Sequence, residues 1–363
     1  MWFRFYRGGG PSLALFGLAL AALCAMPNPG MAQALALGSV TNNGAVKCPS
    51  APGTAAKGAV CYAVTVNCPN TVPLSGWVAI ANPGAPIGTV TMMGAGPGTL
   101  FFTDTFANKY LSLGYQTAQI AFASTWEDSG ESPYGSVLAA ACRPATLFNW
   151  VYANFHQGAK TLPYCLQGFS GGSGAVSYAL THYGLKSIAD AAMFTAGPAM
   201  GDMVKGCTSP PGQLQYNAIP ECGSGWRDYY TIYPTVGSVL SYPDKWEHTT
   251  TCSNNPSPAD EAVWANTSID SIPADYNYPQ TKLSSFQCTG NGAPGQGMFF
   301  FDNVEAQSPS SISAFGCAHG GSNSGPTGCN GEMYWEDNGT GTLDKTRFTQ
   351  MITQMQTDCV ARH

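Results

Sequence analysis

The segment from Gly168 to Gly172, with the sequence GFSGG, has the residue types and the spacing of a catalytic turn. It follows a short apolar segment from Leu162 to Gln167, which predicts a strand, and it precedes a segment that predicts a helix. A serine hydroxyl that stands clear on a tight turn needs neighbours without side chains, which Gly168 and Gly172 provide. The pattern predicts a nucleophile elbow with Ser170 as the nucleophile.

Two other interpretations compete with a catalytic Ser170. A glycine-rich turn can carry a serine that does no chemistry. Ser173 offers a shifted frame from Gly171 to Ala175, but that frame ends in alanine and begins inside the predicted helix. Ser170 is therefore the preferred nucleophile.

A serine that attacks a carbonyl group also needs donors for the negative oxygen that develops. The backbone N–H of Gly171 lies at the start of the predicted helix, a position that favours an anion. Residues Gly88 to Met93 predict another strand, and the glycine-rich loop after it is expected to supply the second donor, from Ala95 or Gly96. An ordinary turn is the alternative for this loop.

A general base for Ser170 is expected among the histidines. His319 directly follows the last predicted strand, Ser311 to Cys317, and is the preferred base. His248 is the competitor. The histidines in predicted helices or at the chain end are His156, His182 and His363.

The elements that must position these residues alternate between strands and helices. The predicted strands are Ala59–Asn67, Trp77–Ala81, Gly88–Met93, Tyr115–Ala123, Leu162–Gln167, Ile188–Thr195, Lys282–Cys288 and Ser311–Cys317. The predicted helices are Ser136–Phe155, the segment after Ser170, Gln296–Glu305 and an amphipathic C-terminal helix. The alternation predicts an α/β fold with a mostly parallel central sheet flanked by helices.

Residues 199–280 interrupt this alternation and are rich in proline, tyrosine and tryptophan. They predict a disulfide-rich cap, inserted after the strand that follows the elbow, with one or two aromatic side chains lining an apolar pocket. Trp126, in the polar loop after Tyr115–Ala123, is expected at the rim of that pocket. The predicted organisation is a signal peptide at 1–34, the core at 35–198, the cap at 199–280 and the rest of the core at 281–363.

A serine elbow midway along the chain and a histidine after the last strand resemble the Ser…acid…His order of the α/β-hydrolase fold. The resemblance extends from about Ala59 to Cys359, and its sharpest motifs are GFSGGSG at Gly168 and His-Gly at His319. It implies a serine hydrolase that works through an acyl-enzyme, most often on carboxylic esters. In that mechanism Ser170 attacks the carbonyl carbon, and His319 accepts the proton and later returns it.

The sequence departs from this family at the acid. The family's usual carboxylate follows the strand assigned to Lys282–Cys288, where this chain has Asn291 and neither Asp nor Glu. An alternative position known for the fold is the loop after the preceding strand, which contains Asp202. Asp302, in a predicted helix, is the other carboxylate considered. The order of preference is Asp202, Asp302 and Asn291.

The N-terminus has the pattern of an exported protein. Arg4 and Arg7 precede an apolar run from Leu13 to Leu23, and Ala32 to Ala34 is a small-x-small cleavage site. The run is too short to span a bilayer. A retained anchor is the alternative, but the pattern predicts cleavage, a secreted or periplasmic protein, and no stable membrane association once the leader is removed.

The cysteines support export. Twelve of the 13 lie after the predicted leader, and an even number in an exported chain indicates disulfides. Cys48 is expected to pair with Cys61 or Cys68, and Cys142 with Cys165. No C-x-x-C motif occurs and the five histidines are scattered, so neither a metal nor another cofactor is predicted.

The net charge of the chain restricts the classes of molecule that it is expected to bind. Removing Arg4 and Arg7 leaves 13 of the 15 basic residues against 21 acidic ones, which changes the formal net charge from −6 to −8. Without a basic run, such a chain is poorly suited to nucleic acid or anionic membrane. The sequence predicts a secreted serine esterase acting on a small-molecule or polymeric ester. The alternatives are a peptidase or amidase of the same fold and a catalytically impaired hydrolase that acts as a binding protein.

Overall fold

The computed structural model describes residues 34–94, 98–130, 136–156, 158–195, 197–198, 200–208, 257–288, 293–318 and 345–363. The strands are β1 (Ser39–Val46), β2 (Val60–Asn67), β3 (Leu74–Ala81), β4 (Thr89–Met93), β5 (Gln116–Phe122), β6 (Tyr164–Phe169), β7 (Ala191–Thr195), β8 (Lys282–Cys288) and β9 (Ile312–Ala318). The helices are α1 (Asp104–Ser112), α2 (Val137–Ala140), α3 (Cys142–Asn154), α4 (Gly171–Thr181), α5 (Met203–Thr208), α6 (Pro258–Thr267), α7 (Ala293–Gln307) and α8 (Lys345–Asp358).

The described strands form one sheet in the order β1-β2-β3-β5-β4-β6-β7-β8-β9. β1, β2, β3 and β5 pair antiparallel, and every pair from β5 through β4 to β9 is parallel. Every residue of β4, β5, β6 and β7 is buried, as expected for parallel strands covered on both faces. The prediction of an α/β fold with a mostly parallel sheet flanked by helices is confirmed. The carboxyl ends of β4 to β9 share one edge of the sheet.

Helices cover the sheet on both faces, and each face has its own core. On one face, α3, α4, α6 and α7 contribute buried side chains such as Phe148, Val176, Trp264 and Phe300. On the other face, α1 and α8 contribute a smaller core that includes Phe106. The apolar runs of the strands supply both cores, which leaves the polar and glycine-rich loops for the carboxyl edge.

Three disulfides are described, and they correct one predicted pairing. Cys48 pairs with Cys61, one of the two partners that the sequence left open. The predicted Cys142–Cys165 bridge is wrong, because Cys142 belongs to the core under α3 and Cys165 belongs to the core on the opposite face of the sheet. Cys142 pairs instead with Cys68, and Cys165 pairs with Cys359 just after α8.

The predicted cap is described only in part. Trp264, Tyr276 and Tyr278 are buried in the larger of the two cores, so these three aromatic residues support the main body of the protein. Residues 209–256 lie outside the described part, and the cap over the nucleophile stays a prediction. None of the helices in the described part of the chain is long and apolar enough to cross a membrane.

Candidate active site

Ser170 occupies a strained turn between a buried parallel strand and a buried helix. β6 ends at Phe169 and α4 begins at Gly171. Ser170 has φ of 51° and ψ of −114°, a backbone conformation that non-glycine residues rarely adopt. Its N–H donates to the Thr195 carbonyl oxygen at 2.8 Å, and its carbonyl accepts from the Gly174 N–H at 3.1 Å. The side chain is half-buried, so a fixed and strained serine faces the carboxyl edge of the sheet.

The two outer glycines of the motif are required by close backbone contacts. A Cβ atom on Gly168 would lie 2.4 Å from the Gly172 carbonyl oxygen. A Cβ atom on Gly172 would lie 2.2 Å from the Met93 carbonyl oxygen and 2.5 Å from that of Gly94. The absence of side chains therefore brings β6, α4 and the end of β4 into direct contact, which is the reason that the sequence suggested for these glycines.

Ser173 has a structural role that the sequence did not reveal. It is fully buried, and its Oγ lies 2.7 Å from the Gly168 carbonyl oxygen and 3.0 Å from that of Thr195. The same Oγ accepts from the Thr195 N–H at 3.0 Å. A hydroxyl group has one donor and two acceptor sites, so these contacts satisfy it. Ser173 therefore fastens the elbow to β7. Because its hydroxyl group is buried and bonded, Ser173 is poorly placed to act as the nucleophile in place of Ser170.

Gly171 occupies the predicted position for an oxyanion donor. It is buried and is the first residue of α4. The first N–H groups of an α-helix have no intrahelical partner, and they favour a negative ligand. Ala95 and Gly96, the candidates for the second donor, lie outside the described residues. Their neighbour Gly94 is buried, and its carbonyl oxygen approaches Gly172 as given above.

Gly98, the first described residue after Gly94, packs against Trp126. Gly98 has φ of 71°, and a Cβ atom there would lie 2.5 Å from Met93 Cε and 2.7 Å from Trp126 Cδ1. Trp126 is fully buried. The expectation that it lies at a pocket rim is wrong, because its indole fills the space beside Gly98 in the core.

Arg143 holds the segment around Trp126 in place, and sequence analysis missed it. Its guanidinium is fully buried and donates to the carbonyl oxygens of Val72 at 2.7 Å, Ser129 at 3.1 Å and Trp126 at 3.2 Å. It also donates to the Asp128 carbonyl oxygen. Burial lowers the pKa of Arg143 to about 10, partly offset by the negative charge of Asp128, so the side chain stays cationic at neutral pH.

The histidines that the structure describes have structural contacts. His156 Nε2 donates to the Ala159 carbonyl oxygen at 3.0 Å, and its Nδ1 lies 3.0 Å from Thr89 Oγ1. His182 Nε2 donates to the Ile269 carbonyl oxygen at 2.9 Å. Burial lowers the pKa of both imidazoles, that of His182 to about 4. His363 Nε2 lies 3.2 Å from the Ala189 carbonyl oxygen.

Two of the candidate histidines cannot be placed. His319, the predicted base, and its competitor His248 lie outside the described residues. Because β9 is parallel to β6, its carboxyl end, which immediately precedes His319, lies at the same edge of the sheet as Ser170.

Two of the three candidates for the acid are described. Asp202 lies in the loop after β7 and is only 7% exposed. It accepts a hydrogen bond from the Lys205 N–H at 2.8 Å. Its carboxylate also forms an ion pair with Lys205 Nζ, at a distance of 3.0 Å. Asp302 is exposed on α7, about 13 Å along the helix axis from Ala293. Asn291 lies outside the described residues.

Comparisons with known proteins find similar folds at low identity. No family model and no curated protein matches the sequence. A hyperthermophilic esterase from the archaeon Pyrobaculum calidifontis is 12% identical, with a TM-score of 0.49 over 82% of this chain and 83% of that chain. A lipase/esterase from Lactobacillus plantarum is 11% identical, with a TM-score of 0.44 over 81% of this chain and 96% of that chain. An acylaminoacyl peptidase from Pyrococcus horikoshii is 10% identical, with a TM-score of 0.45 over 85% of this chain and 49% of that chain. Values at this level assign neither a family nor an activity, so the proposed function depends on the geometry of the site.

Proposed function

We propose that the protein is a serine hydrolase that cleaves carboxylic esters through an acyl-enzyme. The observation that carries the proposal is the backbone of Ser170, a non-glycine residue with φ of 51° between a buried parallel strand and a buried helix. Strain of this kind costs about 1–3 kcal/mol and persists where the surrounding structure enforces it, typically at functional sites. A serine that only filled a turn would need neither this conformation nor the glycines that permit it.

In the proposed reaction, Ser170 Oγ attacks the ester carbonyl carbon while His319 takes the hydroxyl proton. The N–H groups of Gly171 and of Ala95 or Gly96 stabilise the oxyanion of the tetrahedral intermediate. His319 then returns the proton to the leaving alcohol, which produces the acyl-enzyme. Water, deprotonated by His319, attacks the acyl group and releases the carboxylic acid.

The second oxyanion donor is supported by the contact between β4 and the elbow. The carbonyl oxygens of Met93 and Gly94 lie directly against Gly172, two residues after the nucleophile. Gly94, which directly precedes Ala95 in the chain, therefore lies beside the start of α4. This contact supports a backbone N–H of Ala95 or Gly96 as the partner of the Gly171 N–H.

Asp202 is the proposed acid, supported by burial and charge. A carboxylate that orients a catalytic imidazole works best where water is excluded, and Asp202 is nearly buried whereas Asp302 is exposed. Its contacts with Lys205 fix the carboxylate in place and put a positive charge beside it. A carboxylate has about four lone-pair sites, enough for these contacts and a bond from an imidazole.

We also propose that the protein is exported from the cytoplasm. The three disulfides match an oxidising compartment, and the Cys165–Cys359 bridge spans 194 residues of the chain. Together with the predicted leader at 1–34, they favour a secreted or periplasmic enzyme with an ester substrate.

Hydrolysis of short p-nitrophenyl esters, combined with fluorophosphonate labelling, tests the proposal. We expect turnover by the wild-type protein, a loss of at least about 10³-fold in Ser170→Ala, and a fluorophosphonate adduct on the peptide that contains Ser170. Ser177→Ala is the matched control. It removes a buried hydroxyl group on α4, which donates a hydrogen bond to the Ser173 carbonyl oxygen. Full turnover by folded Ser170→Ala would overturn the proposal.

The same experiment separates the alternatives. Labelling of Ser170 without ester turnover would indicate a peptidase or amidase. Neither labelling nor turnover would indicate a binding protein built on a hydrolase-like fold.

A further inference from the structure

The carboxyl groups of Asp202 and Asp270 interact with each other at the start of α5. Asp202 follows β7 in the sequence, whereas Asp270 lies just after α6, so two distant segments meet at this point. Two neighbouring carboxyl groups cannot both ionise without strong repulsion, so the pair keeps a proton at a pH where a lone carboxyl group has lost it. The pair is a feature of the proposed active site that the sequence did not indicate.

Electrostatics favour a proton on Asp270. Burial, and then the negative charge of Asp202, raise the pKa of Asp270 to about 7, although Lys205 acts in the opposite direction. Lys205 provides a backbone N–H and an ammonium group to Asp202, so its positive charge lies beside that carboxyl group. Below a pH of about 7, Asp270 carries a proton that it can donate in a hydrogen bond to Asp202.

The groups around the pair do not add a second titration near neutral pH. Tyr276, which precedes β8, stays neutral because burial and the charge of Asp270 raise its pKa. Its hydroxyl donates to the Ile269 carbonyl oxygen at 3.2 Å. His182 on α4 bonds the Ile269 carbonyl oxygen, and its pKa of about 4 keeps it neutral. Lys205 on α5 is the cation that acts on Asp270.

Backbone contacts fix the two segments to each other. The Ile269 N–H donates to the Met200 carbonyl oxygen at 2.9 Å, and the Asp270 N–H donates to that of Gly201 at 3.1 Å. Met200 is fully buried with φ of 67°, a left-handed conformation that is strained for a residue with a side chain. The loop that carries Asp202 is therefore held in a strained conformation by the backbone of Ile269 and Asp270.

We propose that Asp270 is a positioning residue for Asp202, donating a hydrogen bond that holds the Asp202 carboxylate in the orientation needed by the catalytic imidazole. This inference rests on the proposed function, in which Asp202 is the acid of the triad. When Asp270 loses its proton, the donor becomes a second negative charge, and repulsion displaces Asp202. A displacement of about 1 Å near reacting groups can lower kcat by about 100-fold.

The pH dependence of kcat and KM for a p-nitrophenyl ester tests the inference. We expect wild-type kcat to fall on the alkaline side with a midpoint near pH 7, as Asp270 ionises. Asp270→Asn retains a donor that does not titrate, so its kcat should lack this alkaline fall. Asp270→Ala should lower kcat by about 10- to 100-fold relative to the wild type below pH 7, with little change in KM. Asp275→Asn is the matched control with the wild-type profile, because Asp275 lies on the same segment but pairs with Lys186.

The inference would be overturned if kcat of Asp270→Asn still fell on the alkaline side. It would also be overturned if Asp270→Ala kept the wild-type kcat. Failure of the proposed function is recognised separately, because it would leave turnover unchanged in Ser170→Ala. Carbon-13 NMR of the Asp270 carboxyl group tests the pair without any activity, in the Ser170→Ala protein. A midpoint near pH 7 that falls towards 4 in Asp202→Asn supports the pair, and a midpoint near 4 without that change refutes it.

Discussion

Gly172→Ala tests whether close backbone contact at the elbow is required for both stability and activity. The new Cβ would lie 2.2 Å from the Met93 carbonyl oxygen and 2.5 Å from that of Gly94, and both are backbone atoms at the end of a central strand. A side chain that rotates cannot relieve this contact. To reach 3.0 Å, the shortest separation that real Cβ atoms show, α4 and the end of β4 must move apart by about 0.8 Å.

The size of the displacement sets the expected effects. Overpacking of this kind costs about 1–3 kcal/mol in the free energy of unfolding, which corresponds to a fall in Tm of about 2–8 °C in a domain of this size. The same movement separates α4, which begins at Gly171, from Gly94, the residue directly before the proposed donors Ala95 and Gly96. A shift approaching 1 Å should lower kcat by about 10- to 100-fold, while KM changes little because ground-state contacts are kept.

The assay is thermal unfolding followed by circular dichroism, together with ester kinetics on the same preparation. Gly44→Ala is the control, because Gly44 has φ of 99° on an exposed edge strand and a Cβ atom there would meet nothing within 4 Å. That variant should lose about 1 kcal/mol from backbone strain and keep wild-type kcat. A Gly172→Ala protein with wild-type Tm and kcat would refute the argument from close contact.

Three further predictions concern stability. Ser173→Ala should lower the free energy of unfolding by about 1–3 kcal/mol, because the buried Thr195 N–H loses its acceptor, and denaturant titration measures this loss. Fluorophosphonate should still label that variant, and its failure to do so while folded would contradict a purely structural Ser173. Folding lowers the pKa of His182 from 6.5 to about 4. As the pH falls, His182 is therefore protonated in the unfolded chain before it is protonated in the folded protein. Its contribution to stability is complete above pH 6.5 and is lost as the pH falls towards 4, amounting to about 3 kcal/mol. The difference in unfolding free energy between wild type and His182→Gln should therefore decline over that range, and a pH-independent difference would exclude this titration. Replacing both Cys165 and Cys359 with Ala opens a 194-residue loop and should cost up to about 5 kcal/mol. An unchanged denaturation midpoint would show that the packing of α8 alone holds the C-terminus.

The central strands were predictable because they are buried on both faces. β8 occupies Lys282–Cys288, the same residues that the sequence indicated, and β4 begins one residue later than expected. Parallel strands of this kind are short apolar runs bounded by glycine and polar residues, a pattern that needs no knowledge of the neighbouring strands. The elbow was predictable for the same reason, since its glycines lie beside the serine in the sequence.

Elements that depend on a partner were missed. β1 (Ser39–Val46) is polar and mostly exposed, and its strand conformation comes from pairing with β2 at the edge of the sheet. The helix α1 was also missed, and its buried residues Phe106, Ala107 and Tyr110 pack in the core that it shares with α8. The disulfide of Cys165 was also misassigned, because the face of the sheet that a cysteine occupies is a tertiary property.

By itself, the sequence determined the α/β alternation, the Ser170 elbow and the glycines that permit it, because each of these depends on residues within a few positions of one another. Only the tertiary structure decided that Ser173 fastens the elbow, that Trp126, held by Arg143, packs against Gly98, and that Asp270 meets Asp202. Those contacts join segments many residues apart in the chain. Their energies come from burial and from hydrogen bonds that form only once the sheet has brought the segments together.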